Sequence, residues 1–241
     1  AALSIVSIDT SSQVSSVAVL SGERIAAEIS MQGALTHSET LMPHIETALH
    51  MARVKKGELK GIAVSIGPGS FTGLRIGLAT AKIMAYALHT PLVCVPTLEA
   101  LAHHCICTGV RLIPMMDAQK GNVYAQEFMW EQRNDGLTLR EVRSLSIVPL
   151  ADVIASLEGT KEQVLLFGDA MQKKAAIALP TGVRLAPIHA CMPRAACVGL
   201  AGLVRLGCGV SDDPVTAAPL YLRRSEAEVL WDRHHGTEAA S

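Results

Sequence analysis

The sequence predicts an α/β protein built from two similar halves. An apolar strand that ends in an aspartate, followed by a turn and a return strand, occurs twice, once at Asp9 and again at Asp117. Helix-like segments alternate with further strands after each occurrence. Because 49% of the residues are hydrophobic but only 3% are aromatic, Ala, Leu, Val and Ile must fill the core. A chain of 241 residues is long enough for one large domain or two small ones.

The first half contains apolar patterns typical of strands and others typical of helices. Alternating or continuous apolar runs predict strands at residues 3–8, 14–20, 24–30, 61–66 and 92–95. Apolar residues at helical spacing predict helices over 38–52, 74–88 and 97–105. The helix at 74–88 is unusually rich in small residues, and a small-sided helix allows another element to approach closely. Ala79, Ile83 and Tyr86 form one of its apolar faces.

The second half restarts the same order. Strands are predicted at 110–116, 123–130, 139–148 and 163–167, and helices at 149–158, 169–179 and 193–206. We therefore predict an N-terminal α/β lobe over 1–108 and a C-terminal α/β lobe over 109–231. The polar tail, 232–241, is expected to be disordered.

A glycine-rich turn joins the strand at 61–66 to the following helix. Three glycines and a proline, Gly67, Pro68, Gly69 and Gly73, fall within seven positions. Such a turn can present free amides and a positive helix end to an anion, or it can simply be a tight corner. Thr72 is the expected N-cap. Arg75 opposes the helix dipole in the first turn, so it is expected to meet a carboxylate, a phosphate or a partner.

Composition excludes several classes of protein. The net charge is −1, so the chain lacks the basic surface of an autonomous nucleic-acid binder. We expect no signal peptide, because the apolar N-terminal stretch lacks a basic region and soon reaches Asp9. No apolar run is long enough to suggest a membrane span.

The six cysteines indicate a reducing compartment, so we expect a cytoplasmic protein. Cys94, Cys197 and Cys208 lie in apolar runs and are predicted to be core residues. Cys105 and Cys107 are one residue apart, which is not the spacing of a zinc knuckle or of the usual redox pair.

Five stretches resemble the TsaB (YeaZ) family, and together they span nearly the whole chain. They are residues 7–11, 37–43, 66–75, 116–124 and 219–223. The most specific stretch is the glycine motif within 66–75. The stretch 116–124 departs from the family pattern, with Gln119 where a basic residue is usual and Asn122 where an acid is usual.

The resemblance implies an actin/Hsp70/sugar-kinase type fold, with two lobes that each contain a mixed sheet flanked by helices. It also implies a non-catalytic partner of the paralog TsaD in making threonylcarbamoyladenosine at position 37 of certain tRNAs. By the same resemblance, TsaD carries the metal, ATP and transfer chemistry, and the ATPase TsaE joins the assembly. Thr97 and Leu101 occupy the places of the two metal-binding histidines of TsaD-type proteins, so no metal, cofactor or catalytic residue is expected here.

Two sets of residues are candidate sites. A nucleotide-binding hypothesis rests on Asp9, Thr10, Ser11, Gly67, Gly69 and Asp117. Against it, Asp9 could equally bond the amides of its own turn, and Asp117 lacks a second glycine-rich phosphate loop. The expected partner interface lies on the helices 38–52 and 74–88 and comprises His37, Leu41, His44, Ile45, Arg75, Gly77, Ala81 and Ala85.

Two function classes follow. The leading hypothesis is a scaffold that binds TsaD, contacts tRNA only indirectly and forms a homodimer when alone. The alternative is an autonomous enzyme of the same fold, either a nucleotide-dependent phosphotransferase or a metallopeptidase. The missing histidine pair argues against the peptidase, and the poor second phosphate loop argues against the kinase.

Overall fold

The first of two mixed sheets contains the N-terminal strands. A computed structural model describes residues 3–32, 37–134, 136–172 and 177–222. Within them, β1 (Ser4–Asp9), β2 (Val14–Ser21), β3 (Arg24–Gln32), β4 (Gly61–Ser65) and β5 (Leu92–Val95) form a sheet of order β3-β2-β1-β4-β5. The β1–β2 and β2–β3 pairs are antiparallel, whereas β1–β4 and β4–β5 are parallel. All five lie close to the predicted boundaries.

Two helices cover one face of this sheet. They are α1 (His37–Ala52) and α2 (Phe71–Leu88), and they pack on alternate residues of the central strands, such as Val6, Ile8 and Val64. Helix α2 begins three residues earlier than predicted. Ser70, not Thr72, is its N-cap, because the Ser70 hydroxyl accepts a 3.2 Å hydrogen bond from the Gly73 amide.

The second sheet comes from the middle of the chain. It contains β6 (Val110–Asp117), β7 (Asn122–Arg133), β8 (Gly136–Pro149), β9 (Gln163–Phe167) and β10 (Val183–Leu185), in the order β10-β9-β6-β7-β8. The helices α4 (Leu150–Ala155) and α5 (Asp169–Gln172) are shorter than predicted, and β10 was not predicted. Helix α3 (Thr97–Ala102) connects the sheets, and its buried leucines share a core with Phe128 and Trp130 of β7.

The last part of the chain returns to the first sheet. Helix α6 (Ala195–Gly207) packs on the face opposite α1 and α2, against Ile5, Leu20 and Ala63. Its small residues allow this, since a Cβ on Gly202 would lie 2.7 Å from that of Ala63. The C-terminal lobe was expected over 109–231, but only part of that range forms the second sheet and its helices. The described residues 195–222 belong to the first lobe instead.

The segment after α6, residues 208–222, runs along the edge of the first sheet. The Asp212 amide donates to the Leu92 carbonyl (2.8 Å), and the Asp212 carboxylate accepts from the Cys94 amide (2.7 Å). Lys82 of α2 donates to the Ala217 carbonyl (2.9 Å). We call this segment the C-terminal strap. The predicted disordered tail and Arg223 of the closing motif lie outside the described residues.

The two-lobed arrangement of mixed sheets flanked by helices confirms the expected fold class. Among the helices of the described ranges, none is both long and apolar enough to span a bilayer. Cys94 and Cys197 are buried as predicted, but Cys208 is exposed because it follows the last turn of α6.

Candidate functional site

The turn after β1 and the glycine-rich loop lie against each other. One carboxylate oxygen of Asp9 accepts hydrogen bonds from the Ser11 amide (3.0 Å) and the Ser11 hydroxyl (2.8 Å). The Ser11 carbonyl in turn accepts from the Ser70 amide (2.6 Å). The structure thus brings together Asp9, Ser11 and the residues around Gly69, which are distant in sequence. Asp9 therefore forms hydrogen bonds within its own turn, which is the alternative that the sequence offered to nucleotide binding.

Thr10 fits against the glycines of α2. Its buried hydroxyl donates to the Gly73 carbonyl (2.7 Å), and a Cβ built on Gly77 would overlap that same hydroxyl oxygen. Gly77 therefore lets the helix lie directly on the β1 turn. This contact explains a glycine inside a helix, where it is otherwise less favourable than alanine by about 1 kcal/mol.

Replacing Gly77 with alanine should therefore destabilise the fold, although Gly→Ala normally stabilises a helix. We expect a loss of about 1–3 kcal/mol from overpacking, measured by urea denaturation. The double variant Gly77→Ala/Thr10→Ala removes the overlapping oxygen. In the Thr10→Ala background, Gly77→Ala should be neutral or stabilising. An equal loss of unfolding free energy in both backgrounds would show that the contact with the Thr10 hydroxyl does not cause the destabilisation.

The glycine loop uses its polar groups within the chain. The Gly67 amide donates to the Thr97 hydroxyl (3.2 Å), and the Ile66 carbonyl accepts from Leu220 of the C-terminal strap (2.7 Å). Gly67 has a left-handed backbone, with φ of 119°, and a Cβ there would lie 2.8 Å from the Leu220 carbonyl. The loop is therefore packed between α3 and the strap. This favours the tight-corner interpretation for Gly67 and Gly69.

Asp117 lies in the second lobe, at the end of β6. One of its carboxylate oxygens accepts from the Gln119 amide (2.8 Å), and its own amide donates to the Asp169 carboxylate (2.8 Å). Gln119 and Asn122, the two departures from the family pattern, lie at the β6–β7 turn. Nucleotide binding by these positions stays a prediction.

Among the described residues, Arg75 meets aromatic rings and no carboxylate. Its guanidinium lies 3.9 Å from the ring centre of Phe71, and its Nε donates to the Tyr221 hydroxyl (3.0 Å). Phe71 and Tyr221 stack, with ring centres 4.8 Å apart. The aromatic contacts stabilise a cation that the helix dipole disfavours, and they hold the exposed guanidinium in a fixed position.

Five of the eight expected interface residues are buried in the isolated chain. Their side chains, or the glycine Cα, pack within the chain's own first lobe and are not accessible to a partner. These residues are Leu41, Ile45, Gly77, Ala81 and Ala85. Arg75 is exposed and His44 is half-buried, whereas the side chain of His37 lies outside the described residues.

A different stripe of α2 faces outward. Ile83 is 69% exposed and Tyr86 is 77% exposed, and both follow Ala79 at helical spacing. With Thr72 and Arg75 these residues form what we call the outer face of α2. The exposed Met42 and Met51 lie on α1, which packs against α2. The sequence shows the helical spacing of Ala79, Ile83 and Tyr86. It does not show which of the two apolar faces of α2 the sheet covers.

The positions expected to have lost a metal site are part of the core. Thr97 and Leu101 are fully buried, and Leu101 packs with the second lobe. The Nδ1 of the neighbouring His103 donates to the Glu99 carbonyl (3.0 Å), and the imidazole ring lies edge-on to Trp130. Burial lowers the pKa of His103, and burial together with Arg194 lowers the pKa of His104 to about 4. Across the described ranges, no three metal-ligating side chains converge.

The chain is similar to known proteins along most of its length. Residues 31–231 match the family described as TsaD, tRNA N6-adenosine threonylcarbamoyltransferase. The tRNA threonylcarbamoyladenosine biosynthesis protein TsaB of Bacillus subtilis is 31% identical, over 95% of this chain and 98% of its own length. TsaB of Buchnera aphidicola is 28% identical over 70% of this chain and 80% of its own length.

Solved structures show the same fold. A Pseudomonas aeruginosa protein described as similar to the peptidase YEAZ superposes with a TM-score of 0.76, at 23% identity, over 92% of this chain and all of the other. YeaZ from Pseudomonas aeruginosa superposes with a TM-score of 0.73, at 22% identity, over 91% of this chain and all of the other.

Proposed function

Because the chain belongs to the TsaB (YeaZ) family of tRNA threonylcarbamoyladenosine biosynthesis proteins, we propose that it is a non-catalytic subunit that binds a TsaD-type catalytic protein. The complex with TsaD recruits a TsaE-type ATPase and supports threonylcarbamoyl transfer to adenosine in tRNA. The subunit contacts tRNA only indirectly, in keeping with its net charge of −1. A cytoplasmic location stays a prediction, motivated by the free cysteines.

The outer face of α2 is the observation that carries this proposal. Scattered exposed apolar residues are ordinary, but Ile83 and Tyr86 stand one turn apart and are both more than two-thirds exposed. At the start of the same stripe, Arg75 offers a preorganised guanidinium. An apolar centre with an aromatic and an arginine is the composition typical of interface hot spots.

The same face accounts for self-association when TsaD is absent. A helix face that is apolar along one stripe can pair with its own copy across a two-fold axis. The homodimer and the TsaD complex would then compete for one surface. Adding TsaD to the purified chain should therefore convert homodimer into heterodimer rather than build a larger assembly.

The absence of catalysis is supported by how the candidate positions are used. The Thr97 hydroxyl accepts from the glycine loop, and Leu101 fills the core between the lobes, so neither is free to act on a substrate. The alternative is an autonomous phosphotransferase or metallopeptidase of this fold. A metallopeptidase would need a group of metal ligands, and among the described residues no three such side chains converge.

The deciding experiment measures association and activity separately. The purified chain is mixed with a TsaD-type protein, and binding is followed by calorimetry. Threonylcarbamoyl transfer to unmodified tRNA is then assayed with each protein alone, with both, and with a TsaE-type ATPase added. We expect binding, and no transfer by this chain alone. ATP hydrolysis or peptide cleavage by the chain alone would instead support the enzyme alternative.

Isolated chain should bind ATP weakly. The Gly67 and Ser70 amides already have partners within the chain. The sequence that follows Asp117 also lacks the glycine density of a second phosphate loop. We expect a Kd of about 0.1 mM or weaker, measured by calorimetry, which corresponds to a binding free energy of about −5.5 kcal/mol or one that is less favourable. A micromolar Kd would instead favour the phosphotransferase alternative.

A further inference from the structure

Two thiols lie almost in contact in the segment that joins the lobes. Residues 103–109 connect the end of α3 to the start of β6, and they contain Cys105 and Cys107. The two Sγ atoms are 3.4 Å apart, and both side chains are half-buried. The proposed function makes no use of this pair.

The segment is held at both ends by one residue of the second lobe, Trp130 of β7. The Trp130 indole donates to the Ala102 carbonyl (3.2 Å), and its ring lies edge-on to His103 with centres 5.0 Å apart. Beyond the cysteines, Thr108 forms a parallel bridge with the Trp130 backbone. The loop that contains Cys105 and Cys107 is therefore short and fixed on each side. Its geometry keeps the two thiols together.

We propose that Cys105 and Cys107 form a reversible dithiol–disulfide pair, oxidised by a low-molecular-weight disulfide of the glutathione class. A disulfide requires an S–S separation of about 2.05 Å, so the sulfur atoms need to approach by about 1.4 Å. Within a loop that lies between two anchors, rotation of the two side chains and a small backbone adjustment supply this movement. The pair does not fit a structural zinc site. Such a site needs four ligands, and no third ligand joins the two thiols among the described residues.

The exchange proceeds in two balanced steps. Burial and the hydrogen bond with Cys107 raise the pKa of Cys105 to about 11, which keeps Cys105 protonated at neutral pH. We therefore assign the first attack to the Cys107 sulfur, which gives up its proton as it reacts. It displaces one thiolate from the small disulfide and forms a mixed disulfide. The Cys105 sulfur, as it loses its proton, attacks the Cys107 sulfur and expels the second thiolate. The two protons from the protein leave on two molecules of the reduced small thiol.

The test uses the full chain in a Cys208→Ser background, which removes the exposed competing thiol. The reduced protein is equilibrated with oxidised glutathione, and intact mass and peptide mapping follow. We expect the loss of two hydrogen atoms, no retained glutathione, and a Cys105–Cys107 link. Dithiothreitol should reverse it. The alkylation rate of the pair should fall at least tenfold on oxidation.

Single serine variants separate the two roles. Cys105→Ser should retain one glutathione on Cys107, because no second thiol resolves the mixed disulfide. Cys107→Ser should react with glutathione at least tenfold more slowly than Cys105→Ser. Phenylarsine oxide, which bridges two neighbouring thiols, should bind the reduced parent and neither variant. The proposal is overturned if the parent keeps both thiols free, or if it accumulates a stable mixed disulfide. Circular dichroism of each variant checks that it is folded.

Discussion

Ala81→Glu is expected to unfold the first lobe, not to break an interface. Ala81 is fully buried in the core that α1 and α2 form with the central strands. An unpaired carboxylate there costs several kcal/mol, a large share of a total stability of about 5–15 kcal/mol. We expect the thermal transition to fall by more than about 10 °C or to disappear, as measured by calorimetry.

The matched control is Ala79→Glu, two residues away on the same helix. Ala79 is exposed, so the same new charge remains in water. Its melting temperature should stay within about 2 °C of the parent. If Ala81→Glu melted as Ala79→Glu does, the assignment of this face to the core would be wrong.

Ile83→Glu should abolish binding to a TsaD-type protein while leaving the fold intact. The side chain is 69% exposed in the isolated chain, so a glutamate there costs little until a partner covers it. Desolvating an unpaired carboxylate in an interface costs several kcal/mol. Each 1.4 kcal/mol is about tenfold in affinity, so we expect a loss of at least about 100-fold, measured by calorimetry.

The control for this variant is Val204→Glu. Val204 is also exposed, at 62%, but it lies on α6, on the opposite face of the first sheet. It should bind the TsaD-type protein as the parent does. Ile83→Glu should also shift the homodimer towards monomer, seen by sedimentation. Normal binding by a folded Ile83→Glu chain would place the partner surface elsewhere.

The small residues of α2 show what sequence analysis can and cannot determine. Gly77, Ala81 and Ala85 recur every four residues, and this spacing correctly indicates that something approaches the helix closely. The approaching element is the chain's own β1 turn and sheet, not a partner. Periodicity identifies a face, but two apolar faces on one helix look alike until the sheet is placed. The sequence therefore indicates that Ile83 and Tyr86 lie on one apolar stripe. It does not indicate that this stripe faces outward.

The strands were more predictable than the connections between distant parts. Each strand of the first sheet lies near its predicted boundaries, because continuous buried runs such as Gly61–Ser65 are local signals. Helix α6 was also predicted as a helix, at 193–206. Its return to the first sheet depends on contacts such as Gly199 with Leu20, which join residues far apart in sequence. Similarly, nothing local to Arg75 indicates that Tyr221 would become its partner.

The return of α6 and the C-terminal strap has a consequence for synthesis on the ribosome. Residues 195–222 supply the covering of one face and one edge of the first sheet, and they are the last described residues to be made. Until they emerge, Ile5, Leu20 and Val93 lack the helix that shields them. The second lobe can therefore finish folding before the first lobe does, although synthesis of the first lobe begins earlier. A nascent chain that is arrested before α6 would expose this apolar face to chaperones.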